Sequence, residues 1–426
     1  MTTSLGSSSP SPQSARPAST RPVGRFGKLP LLAGRGYIPL GLFARTPLAM
    51  MTIGVLTLVT AESHSYAIGG FAAGAIGLGA AIGAPANGYL ADRLGQKRVL
   101  MAAAVLNALL VTAVVVLAYT VGEFTPAATG LVLATALLAG ITSPQVGPLS
   151  RVRWMALSKK LPEAERGPVV DTALSLESTA DEVTFVLGPA LVGLLASLVA
   201  PWLPLALAAL MTLTLVSLFA IHPTEAAVHV HRKTDAHQER EPINWFRVSV
   251  PVLGMLCMGT FFGSSQTALT AFTGAHGSID RAGLMYAVMG ASSAVAALSV
   301  AFWPSNFSHA WRWVATAALM TAGTVGLLLP NSLGMMVVML LLVGIPVGPT
   351  MVTIFSIGGV IAPPQWMGTV MTALASGLVF GAALGSSIAG SIAQNSGYHA
   401  AFMVPIIAAG TLLVLGFVAA ALVRRR

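Results

Sequence analysis

Residues 169–189, VVDTALSLESTADEVTFVLGP, carry Asp171, Glu177, Asp181 and Glu182 in an otherwise apolar run. The chain has fourteen Asp and Glu, and no other apolar run holds one in its interior. A carboxylate at the centre of a bilayer costs about 2.5–3.5 kcal/mol on insertion scales, so acids placed there need cations, protons or water. Desolvated side by side, Asp181 and Glu182 read as a proton-coupling pair, able to take up a proton in one orientation and release it in another. The same residues also fit a static ion pair with Arg151 or Arg153 of GPLSRVRW.

Helix geometry sorts the acids by depth. At 1.5 Å per residue, residues 169–199 extend about 46 Å, well beyond roughly 30 Å of hydrocarbon. With the far end held by Pro201 and Pro204, the first ten or so residues project out of the membrane. Asp171 is then expected to be solvated, and Glu177 to lie near the interface as a salt-bridge partner in a gate. Glu177, Asp181, Thr184 and Gly188 share one helix face; Glu182, Phe185, Pro189 and Gly193 share another about 100° away.

The elements that must position these acids are membrane helices. With 55% hydrophobic residues, 9% charged residues and a mean hydropathy of +0.79, the chain lies outside the soluble globular range. Apolar runs near the roughly 20 residues of a membrane span recur along it. The expectation is an all-α polytopic membrane protein with twelve spans at about 38–60, 66–90, 99–121, 126–150, 169–199, 201–221, 248–273, 282–303, 311–330, 333–356, 367–392 and 398–423. The net charge of +9 does not imply nucleic acid, because the basic residues lie in the gaps between runs or near the ends of runs that border them. Residues 1–37, rich in Ser, Pro and Arg with no apolar signal region, are expected to form a disordered basic tail. Cys257, alone in an apolar run, reads as core filler.

Of 23 Lys and Arg, only Arg281 falls on the far side of the expected spans. The positive-inside rule then places both termini in the cytoplasm of a cell-membrane protein. The longest hydrophilic interruption after the tail, 222–247, separates a six-helix bundle at 38–221 from a second at 248–423, with 424–426 as a cytoplasmic end. LLAGITSPQVGPL (137–149) is echoed by LLVGIPVGPTM (341–351). Repeats of this kind put a substrate site at their interface near the bilayer midplane. Gly377, Gly381 and Gly385, four apart, mark a close helix contact, either tight packing or a rocking surface between the halves.

GYLADRLGQKRVL, 88–100, gathers charge into one such gap. Through Gly88, Leu90, Ala91, Asp92, Arg93, Gly95 and Lys97 it resembles the loop 2–3 signature of the major facilitator superfamily, with Gln96 where a basic residue is usual. Arg98 completes the cluster. FWPSNFSHAWRWVA (302–315) holds the equivalent place in the second half, with Asn306 against Asp92 and Arg312 against Arg98. The resemblance implies two pseudo-symmetric six-helix bundles and a cytoplasmic gate in which Asp92 bridges the halves. Its partners would be the start of span 11 at 366–369, through the helix dipole, or Arg151 and Arg153.

FVLGPALVG (185–193) is similar to the Gly-Pro-x-x-Gly-Gly element of drug and proton antiporters, through Gly188, Pro189 and Gly193 with Val192 in place of the first closing Gly. That likeness implies efflux. The intramembrane Arg of such antiporters is replaced by Thr135 when span 4 is aligned on Gly140, and ARTPLAMMTIG at span 1 resembles an actinobacterial branch.

Gln266 in span 7 and Thr184 in span 5 are the candidates to line a substrate cavity, Gln266 equally for bonds between helices. His222, His229, His231 and His237 in the central linker lack Cys or a fixed acidic partner and make no metal site. No nucleotide-binding loop is present, so no cofactor is expected and an ion gradient must supply the energy. The leading expectation is a non-enzymatic, proton-coupled antiporter exporting a small amphipathic or hydrophobic compound, acting as a monomer with protons, substrate and bilayer as its partners. An uncoupled metabolite or lipid facilitator, or a non-transporting membrane sensor, remains as the alternative.

Overall fold

A computed structural model describes residues 24–228, 243–277, 281–304 and 306–423, without a strand among them. The membrane helices, numbered by span, are α1 Tyr37–Ser63, α2 Tyr66–Leu94, α3 Gln96–Thr120, α4 Pro126–Ser158, α5 Glu163–Leu198 and α6 Leu203–Ile221 in the first half. The second half has α7 Trp245–Ala275, α8 Ala282–Ser299, α9 His309–Gly326, α10 Leu333–Ile361, α11 Met367–Ala401 and α12 Met403–Val423. Among the described residues eleven helices are long and apolar enough to cross a membrane. The twelfth expected span is α9, 18 residues long, whose first turn is made polar by His309 and Arg312.

Local chemistry sets the helix ends. The Ser65 hydroxyl accepts from Ile68 N at 3.4 Å, Thr125 from Ala128 N at 3.3 Å and Asn244 from Arg247 N at 3.2 Å, each satisfying an amide that has no partner within its helix. Gly95, at φ 92°, turns the chain from α2 into α3 in a backbone region that side chains disfavour.

α4 is broken, where a continuous span ending near 150 is expected. Pro144 interrupts the run between Ile141 and Val146. The carbonyls freed there are taken up by Asn87 Nδ2 from α2, which donates to Ile141 O at 3.2 Å and Ser143 O at 3.3 Å. Beyond the break Val146–Ser158 continues as helix, and Arg151 and Arg153 are fully buried within it.

Part of the expected disordered tail is ordered. Lys28–Ala33 is a short helix with Leu29 fully buried, and Lys28 Nζ lies 2.8 Å from Glu165 Oε2. The calls on residues 1–23, on linker residues 229–242 and on 424–426 fall outside the described residues.

Buried apolar side chains sort by half: three clusters lie within α1–α6 and its approaches, and the largest is built almost wholly from α7–α12. One small cluster straddles them, with Leu174 against Ala297, Val300 and Val352. The two halves meet at the end where the Arg-rich connections lie, here the basic end. Hydrogen bonds and ring contacts between them run from that end to about mid-depth, as at Asp92 to Thr369, Ser376 to Ala81 and Glu182 to Ser293. The stripe of Gly377, Gly381 and Gly385 faces backbone of Val252, Leu256 and Thr260 on α7, so it is tight packing inside the second half.

Candidate functional site

Going inward from the basic end, α5 presents Asp171, Glu177, then Asp181 and Glu182, each in a different setting. Glu177 and Asp181 belong to a buried ion cluster. Arg45, eight residues into α1, donates through Nη2 to Glu177 Oε2 at 2.5 Å and through Nη1 to Asp181 Oδ1 at 2.7 Å. Arg151 Nη2 reaches Asp181 Oδ2 at 2.7 Å. Ser150 Oγ and Trp154 Nε1 each donate to Glu177 Oε1 at 2.8 Å, and the Tyr37 hydroxyl lies 2.8 Å from Ser150 Oγ. The two guanidiniums and two carboxylates cancel in charge, the condition for burying ions at tolerable cost.

Glu182 is left over. Its side chain is buried, with 5% of the residue exposed, and has no ion-pair partner among the described residues. Ser293 Oγ on α8 donates to its Oε1 at 2.9 Å. Gly290, one turn earlier on α8, leaves room for the other carboxylate oxygen, and Thr179 Oγ1 donates to Ala294 O at 3.1 Å beside it. The acid therefore sits on the seam between the halves, outside the balanced cluster.

Two latches close the basic end. Asp92 accepts from Gly368 N at 2.8 Å and from Thr369 N and Oγ1 at 2.7 Å each, at the first turn of α11, where free amides and the helix dipole favour a carboxylate. It does not reach Arg151 or Arg153. Gly88, one turn before it, permits the approach: a Cβ there would collide with the Thr372 side chain and the Gly368 carbonyl. Arg93 stacks over Tyr89 at 4.5 Å, and Tyr89 packs on Trp366. Lys97 and Arg98 are exposed.

The second latch has the opposite polarity. Asp171, expected to be solvated, accepts from Arg312 Nη1 at 2.8 Å and lies 3.1 Å from His309 Nε2, both on the first turn of α9. The start of α9 thus supplies the cation and α5 the acid, whereas the end of α2 supplies Asp92 and α11 its amides.

Arg153 stays within the first half. Its Nε donates to Gln96 Oε1 at 2.8 Å and its Nη1 to Phe219 O at 2.7 Å and Thr224 Oγ1 at 3.1 Å. A basic residue at 96 would set two cations against each other there. Thr184 turns its hydroxyl onto its own helix, to Ala180 O and Asp181 O. Gln266 is exposed. Gly188 packs on Ala49 of α1, Pro189 lies within α5, and Gly193 faces open space.

Residues 40–377 match the Major Facilitator Superfamily. The chain belongs to that superfamily. The human organic anion transporter MFSD10 (TETRAN) is similar in structure, at 19% identity and a TM-score of 0.65, covering 94% of this chain and 100% of its own. A bacterial homologue of the iron transporter ferroportin in an outward-facing state gives 12% identity and a TM-score of 0.70, covering 90% of this chain and 98% of its own. Its form with soaked iron gives a TM-score of 0.68 at the same identity and coverage. These likenesses show the fold. The search of curated proteins gave no match.

For a superfamily chain, the residues that sequence reasoning misses are those reached across helices. Arg45 is the main one, since a basic residue near a span end reads as a topology marker. Its signal is position: ARTPLAMM places it inside an apolar run. Ser293, Trp154 and Ser150 carry no such signal.

Proposed function

We propose that the protein is a proton-coupled secondary transporter that works by alternating access and exports a small amphipathic or hydrophobic compound, with Glu182 as the group that carries the proton. The observation that supports this most is the contrast on one turn of α5: Asp181 lies between two guanidiniums, whereas Glu182 is buried on the seam with a single hydroxyl. A buried carboxylate without a cation is stabilised by taking a proton, and a protonated one can keep Ser293 as a partner.

The halves meet at the basic end, which the Lys and Arg distribution assigns to the cytoplasm of a cell-membrane protein; this arrangement is the outward-facing one. In it Glu182 takes a proton arriving from the outer side. Reorientation parts α5 from α8 and α2 from α11, exposes Glu182 to the cytoplasm and lets the proton leave, while substrate moves outward in the opposite transition. Each proton entering down a membrane potential supplies about 2.3 kcal/mol per 100 mV, besides any pH difference. Asp181, with Arg45, Arg151 and Glu177, keeps α1, α4 and α5 together as one body during the movement.

The test is efflux of a broad panel of lipophilic dyes and growth inhibitors from cells expressing the protein, with and without an uncoupler. Uncoupler-sensitive efflux of at least one compound is expected. Efflux that ignores the uncoupler would favour an uncoupled facilitator.

A further inference from the structure

Away from the seam, the basic end of the second half holds a small, open groove between the first turns of α7 and the last turns of α10 and α12. Val250, Pro251, Ile357 and Ala419 form a buried apolar floor, and Val360 stands exposed on the rim. The one charged group lining it is Arg247. Among the described residues its guanidinium makes no ion pair. Beside it Trp245 and Phe246 are 56% and 66% exposed, as aromatic side chains are at the level of lipid headgroups.

We infer that this groove binds an anionic phospholipid of the basic-side leaflet, with an acyl chain on the floor and the phosphate at Arg247. The pairing follows from complementarity. An apolar slot whose mouth holds a cation with no ion pair among the described residues suits an amphipath with one anionic head, and basic pockets between helix ends on this side of a membrane hold such headgroups. Zwitterionic lipid offers the same chain but cancels the charge, and a soluble phosphate offers the charge without the chain. The site is separate from the α5 acids, so it stands whether or not transport is proton-coupled.

The test uses the full-length protein purified in a neutral detergent and exposed to phosphatidylglycerol, phosphatidylcholine or glycerol phosphate, with retention read by native mass spectrometry and stability by thermal unfolding. Phosphatidylglycerol is expected to be retained and to raise the Tm, with the other two weak or inactive. Arg247→Gln should weaken retention about fivefold, Val360→Glu should weaken it from the rim, and Lys160→Gln, an exposed cation elsewhere, should not. Val360→Glu also serves if the Arg247 variant is not monodisperse. Equal retention of phosphatidylglycerol and phosphatidylcholine would overturn the inference. So would undiminished phosphatidylglycerol binding in the Arg247 and Val360 variants, as when an acid of this chain occupies Arg247.

Discussion

Glu182 of α5 and Ser293 of α8 are joined by a 2.9 Å hydrogen bond that crosses the seam between the two halves. It is the one hydrogen bond of the Glu182 carboxylate among the described residues, and it exists only while α5 and α8 are together. Ser293→Ala should therefore weaken the closed basic end by about 1–3 kcal/mol, the cost of leaving a buried acceptor unmet. The readout is labelling of a cysteine placed at Leu174, buried between the halves, in a Cys257→Ala background. Faster labelling in the Ser293 variant is expected; an unchanged rate would mean that the bond does not hold the seam.

The Asp92 latch gives the same readout by a different route. Asp92→Asn replaces a three-bond acceptor with a side chain that presents its own N–H groups to donors, so labelling at position 174 should rise and turnover should slow. Gly88→Val should go further, because its side chain would have to enter the space of Thr372 and Gly368. Parent-like accessibility in both variants would show that the α2–α11 contact is not a gate.

The Arg45 cluster should act on stability. Arg45→Met leaves Glu177 and Asp181 buried with only Arg151 to offset them, at a cost of about 3–5 kcal/mol. A marked fall in Tm is expected, with partial recovery when Glu177→Gln is added. A Tm equal to the parent would mean that water already reaches these acids.

Asp171 and Arg312 should behave as one unit. Asp171→Asn and Arg312→Gln should each promote labelling at position 174, and the double variant should add little, with a coupling energy of about 0.5–2 kcal/mol. Full additivity would separate the two residues functionally.

Much of this was legible in the residues. The all-α membrane fold follows from hydropathy, whereas Asp92 as a bridge between the halves rests on the resemblance to the superfamily, which leaves the start of α11 and Arg151 or Arg153 open as partners; the side chain lies on Gly368 and Thr369. What sequence leaves hidden depends on helix rotation and on breaks. Asp171 reads as solvated because counting rise along α5 says nothing about α9 lying against it. Arg151 and Arg153 read as the end of span 4 because Pro144 hides a helix that resumes at Val146. The distinction between Asp181 and Glu182, adjacent and chemically alike, rests on about 100° of rotation: one turns to Arg45 and Arg151, the other to Ser293.

The most direct measurement compares parent and Glu182→Gln in proteoliposomes, using a compound found by the efflux panel. Accumulation is driven by an imposed pH gradient, and exchange of labelled for unlabelled compound is followed at equal pH. The Gln variant should lose gradient-driven accumulation while keeping exchange, since it retains Ser293 as a partner but has no proton to give up. Gradient-driven accumulation equal to the parent would show that Glu182 does not carry the proton.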